Sequence, residues 1–84
     1  AYYQNGNYEK ARNSFRNAIL YEPTYAEAMN DLAMLYLVKD FREYDSKRAE
    51  LLHKEALSII DAKKERKRKE KLVKAFDERK IECA

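Results

Sequence analysis

The segment 26–37, AEAMNDLAMLYL, constrains the fold more than any other stretch of this chain. It follows a proline turn, and its apolar residues recur at spacings of three and four, the period of a helix with one apolar face. Ala28, Leu32, Leu35 and Tyr36 form the stripe, and Met29 and Ala33 flank it. Met34, Leu37 and Val38 widen the arc beyond what one neighbouring helix would cover, so this helix needs several neighbours. Those neighbours must also be helices. The chain has one Gly and one Pro in 84 residues and is rich in Ala, Leu, Glu, Lys and Arg. Its length allows one small all-α domain, marginal without a well-filled core.

The breaks in the pattern place the other helices. Residues 1–4 read as the last turn of a helix, and Asn5, Gly6 and Asn7 stop it because Gly and Asn tolerate a left-handed conformation. Asn7 then caps a helix over residues 8–21, with Tyr8, Ala11, Phe15, Ala18, Ile19 and, at its flank, Tyr21 on one face. Glu22-Pro23 ends it. Thr24 is expected to cap the next helix, with Glu27 as its capping-box partner, and that helix should run over residues 25–38. A turn within residues 39–46 precedes a helix capped by Asp45 or Ser46. Its buried face should be Ala49, Leu52, His53, Ala56, Leu57, Ile59 and Ile60. No Gly or Pro stops this helix at Asp61-Ala62, so propensity predicts one rod continuing through residues 63–71 to an apolar end at Leu72, Val73 and Phe76, with Ile81 and Cys83 beyond. The competing outcome is a break near 61–64 with the remainder packing as a capping helix.

Self-comparison shows a repeat. At a shift of thirty-four, Ala1, Tyr2 and Tyr3 fall on Leu35, Tyr36 and Leu37. At thirty-eight, Ala11, Phe15, Ala18, Ile19 and Tyr21 fall on Ala49, His53, Ala56, Leu57 and Ile59. The second copy carries four extra residues between its helices, about one helical turn. A unit of this length and two helices resembles the tetratricopeptide repeat, whose pattern runs W-x2-L-G-x2-Y…A-x3-F…P. Met29 stands at the Trp position, Leu32 and Tyr36 match, and Ala33 replaces Gly. Ala11, Phe15, Ala18 and Pro23 meet the second-helix signature. In the second unit His53 replaces the aromatic and Ala62 the proline, as in a terminal repeat. The resemblance covers residues 1–61, leaving 62–84 as a basic helical extension or capping helix. It implies antiparallel helical hairpins of an α–α superhelix, and a chain that starts mid-unit and depends on upstream sequence or on another chain.

Net charge is +3 but unevenly placed: residues 1–62 sum to −2, 63–71 to +5, and 72–84 to zero. There is no Gly-rich phosphate loop, no HExxH and no Ser-His-Asp set, so the reading is non-catalytic, with no cofactor and no metal. His53, the one histidine, sits on an apolar helix face as a core histidine in place of an aromatic, without partners at metal-ligand spacing. The single Cys83 excludes an internal disulfide and fits a reducing, cytoplasmic compartment. No apolar run approaches a membrane span.

What remains is recognition. The resemblance implies a partner groove lined by the first helix of each unit, here Tyr3, Glu27, Asn30, Asp31, Met34, Leu37 and Val38. Asp31 would repel the carboxylate tail that some relatives clamp. An apolar or amphipathic peptide, a basic segment or another helix fits this set better. The alternative is an anion-binding module in which Lys63, Lys64, Arg66, Lys67, Arg68, Lys69 and Lys71 contact nucleic acid or an acidic membrane surface. The uncovered apolar faces also predict that the chain self-associates, or that its C-terminal segment folds back or swaps onto a neighbouring chain.

Overall fold

The computed structural model describes residues 7–83. Four helices follow one another, α1 (Tyr8–Tyr21), α2 (Ala26–Leu35), α3 (Ser46–Lys63) and α4 (Arg66–Cys83), and there is no strand among the described residues. The fold is all-α, built of antiparallel helical hairpins with a long C-terminal helix, as the punctuation and the resemblance predict. The expected turn at residues 5–7 falls largely outside the described residues.

Glu22–Tyr25 forms the first described joint. The Glu22 N–H closes α1 on the Ala18 carbonyl at 2.9 Å, and the Tyr25 N–H bonds back to Glu22 at 3.0 Å. Tyr25, not Thr24, is the cap residue of α2 and its side chain makes no capping bond. The expected Thr24–Glu27 box does not form, because the helix starts one residue later than that register needs, and Arg68 pairs with the Glu27 carboxylate.

α2 is shorter than its apolar pattern suggests. It ends at Leu35, after which Leu37 and Val38 bond to Met34 and Leu35 in tighter three-residue turns. The reason is Phe41. Its ring is buried, 6.0 Å from Tyr36 and 5.9 Å from Tyr8, so the connection must curl back over the core. The Asp45 N–H then returns to the Tyr36 carbonyl at 3.0 Å, and Arg12–Glu43 and Arg42–Glu9 ion pairs tie the loop to α1. The inserted turn is thereby packed. Asp45 caps α3 as expected, accepting from the Arg48 N–H at 3.1 Å.

α3 does not continue as a rod. It stops at Lys63, Lys64 takes a left-handed conformation, and α4 runs back antiparallel to α3, with Lys69 beside Asp61 and Lys80 beside Glu50. Burial decides against propensity. A rod would leave Leu72 and Phe76 in water, and burying each contributes about 1.5–3 kcal/mol. One non-glycine left-handed residue costs roughly 1–2 kcal/mol.

Two clusters fill the interior. One gathers Ala11, Leu32, Ala33, Leu35, Tyr36, Leu37, Phe41, Ala49 and Phe76, and the other Ala26, Met29, Ala56, Ile60 and Leu72. The alanines lie where helix axes approach closely. Tyr21 and Ile81, placed on apolar faces by spacing, are 93% and 77% exposed.

Candidate functional site

α2 is buried on most sides, with Ala26, Ala28, Met29, Asn30, Leu32, Ala33 and Leu35 all inside. Glu27, Asp31 and Met34 remain half-open, and Val38 continues their line beyond the helix end. Spacings of four and three put Glu27, Asp31 and Met34 on one stripe of α2. The stripe is acidic at its start and apolar at its end. Of the other residues expected in the groove, Asn30 and Leu37 are interior, and Tyr3 lies outside the described residues.

Asn30 is fully buried and belongs to an internal relay. Its Nδ2 donates to the Leu72 carbonyl at 3.4 Å, which leaves its Oδ1 to accept from His53 Nδ1, 2.6 Å away. The His53 ring stacks on Phe76 with centroids 3.9 Å apart and planes 6° from parallel. Histidine thus fills the aromatic position while adding a donor that the Asn requires. Burial holds the His53 pKa below its usual value. Glu50 and Asp77 oppose that and Lys80 reinforces it. The relay was missed in the sequence because Asn30 and His53 belong to different helices and Leu72 contributes through its backbone.

Two carboxylates one turn apart set the electrostatics of the stripe. Burial raises the Asp31 pKa and the neighbouring Glu27 charge adds to it. For Glu27, burial acts upward too, but the Arg68 hydrogen bond and the charges of Arg68 and Lys63 outweigh it and hold its carboxyl below the usual range. The Arg68 Nε reaches Glu27 Oε2 at 2.6 Å, while Glu27 Oε1 has no hydrogen-bond partner.

Residues 1–39 match the family model described as TPR repeat. Over those residues the chain is similar to the tetratricopeptide repeat family. TPR repeats generally act as non-enzymatic scaffolds for protein–protein interaction. No curated protein and no solved structure matches the chain. The TPR match ends one residue past Val38, so it contains the whole α2 stripe. α3 and α4 lie beyond it, yet α4 packs on α3 and α2 through the relay and the Arg68–Glu27 pair.

The basic block divides on folding. Arg68 pairs with Glu27 and Glu65, Lys69 with Asp61 at 2.9 Å, and Lys63 Nζ donates to the Thr24 carbonyl at 3.5 Å. Lys64, Arg66, Lys67 and Lys71 are exposed and carry no ion pair among the described residues. No helix among the described residues is long and apolar enough to cross a membrane, and no three His, Cys, Asp or Glu among them are grouped to hold a metal.

Proposed function

We propose that this chain is a protein-interaction scaffold whose α2 stripe, Glu27, Asp31, Met34 and Val38, takes a partner segment carrying a basic residue next to apolar ones. The observation that carries the reading is the contrast within α2, seven buried positions against a half-buried line of Glu27, Asp31 and Met34, with half-buried Val38 just past the helix end. A Lys or Arg would find the Asp31 carboxylate, which already bears the cost of partial burial beside Glu27. Met34 suits an apolar neighbour of varied shape because its side chain is flexible.

Two synthetic helical peptides with the same apolar residues, one basic and one acidic, test this by fluorescence anisotropy. The basic peptide binds more tightly, Asp31→Asn reduces its advantage, and Met34→Ala weakens both. Equal binding of the two peptides, or an advantage untouched by Asp31→Asn, overturns the reading.

A second reading rests on Lys64, Arg66, Lys67 and Lys71, which leave one end of the α3–α4 hairpin uncompensated. They would form an anion-binding face for nucleic acid or an acidic lipid surface. Salt-sensitive retention on heparin that disappears when these four are changed to Gln supports it, and indifference to that change removes it.

A further inference from the structure

The joint between α3 and α4 has the hydrogen bonds of a glycine-ended helix but holds no glycine. The Glu65 N–H bonds to the Ile60 carbonyl at 3.2 Å and the Lys64 N–H to the Asp61 carbonyl at 3.1 Å, the pair of bonds in which the left-handed residue is usually Gly. Here that residue is Lys64, with φ 58° and ψ 35°. Among the described residues it is the one non-glycine with positive φ. A lysine so placed crowds its Cβ against the following carbonyl. Ala62, Lys63, Glu65, Arg66 and Lys67 are all good helix formers, and the like-charge pairs Lys63–Lys67 and Lys64–Arg68 oppose a right-handed helix by only about tenths of a kcal/mol each. Joining α3 and α4 into one helix requires Lys64 to turn right-handed and Glu65, which lies between the two helices, to become helical as well.

The closed form is held by the docking of α4 on elements that precede the joint. Phe76 lies on His53, the Leu72 carbonyl accepts from Asn30, Arg68 pairs with Glu27, and Lys80 reaches Glu50 at 2.7 Å. Each of these contacts joins a residue before the hinge to one after it. A second copy can therefore supply every one of them without new complementarity.

We propose that two copies of this chain exchange α4: Lys64 opens, α3 and α4 become one helix, and each α4 docks on the α2–α3 surface of the other copy. The exchanged pair keeps the same buried contacts and removes two left-handed lysines. Against it stands the entropy of association. The partner is a second copy because the α4 seat is already shaped for Leu72 and Phe76.

The test uses the full chain with reductant, refolded at high and low concentration and sized by light scattering. The parent forms a dimer that increases with refolding concentration. Lys64→Gly, which makes the closed joint easy and the continuous helix harder, lowers the association constant by at least about tenfold. Complementary charge variants then distinguish exchange from side-by-side association. Glu27→Arg and Arg68→Glu each set like charges against one another in a closed monomer. In an exchanged heterodimer both sites carry opposite charges again. Mixed refolding of the two therefore gives more dimer than either alone. A parent monomeric at every concentration, a Lys64→Gly variant that dimerises as strongly as the parent, or a mixture without excess dimer overturns the proposal.

Discussion

Changing His53 to Phe separates the two contributions of that side chain. Phe keeps a flat ring on Phe76 and a similar volume, so the stacking survives. What it loses is the Nδ1 donor 2.6 Å from Asn30 Oδ1. Asn30 is 0% exposed, so water cannot replace the donor, and the stranded carbonyl should cost about 1–3 kcal/mol. In a domain of this size each kcal/mol lowers the melting temperature by about 4–8 °C. Adding Asn30→Leu to His53→Phe removes both polar partners, and the double variant should recover most of the loss, which a double-mutant cycle reads as coupling. The same histidine gives a pH signature. Its folded pKa is lowered from 6.5 by burial, so below that value the unfolded chain binds the proton more readily than the folded one. Stability is full above the unfolded pKa and falls as pH drops through the window beneath it. Glu27, whose carboxyl is held below 4.5, responds at lower pH. Urea unfolding followed by far-UV circular dichroism at about pH 7.5 and about pH 5 tests both parts, since imidazole titrates between them. A His53→Phe variant as stable as the parent at the higher pH, or one keeping the parent's full loss at the lower pH, would refute the relay.

Other changes probe the packing. Ala56→Leu should destabilise by about 1–3 kcal/mol in urea unfolding, because Ala56 is fully buried at a close crossing, whereas Ala18→Leu, at a half-buried position, should cost less. Phe41→Ala should cost about 3–5 kcal/mol and speed amide exchange across residues 36–45, since that ring anchors the connection after α2.

Much of the helical framework was legible because it is written in local chemistry. Pro23 forces a joint wherever the rest of the chain lies, and Asp45 caps α3 through a bond three residues away. The buried alanines 11, 49 and 56 and the core placement of His53 follow from helical spacing alone. Phe41 was less legible. It lies in a polar stretch, KDFREYD, and nothing local says that its ring turns inward.

The candidate stripe was legible in part for the same reason. The resemblance put Glu27, Asp31, Met34 and Val38 in one groove with Tyr3, Asn30 and Leu37, but it could not show that Asn30 turns inward, because the carbonyl that fixes it is Leu72's, forty-two residues away. The end of α3 follows the same division. By itself the sequence determined that residues 46–83 are helical, since nearly every residue there favours a helix by local energies of tenths of a kcal/mol. The tertiary structure alone decided where that helix breaks. Docking Leu72 and Phe76 against α2 and α3 gains several times what the left-handed Lys64 costs, and that gain exists only once the chain has folded back on itself.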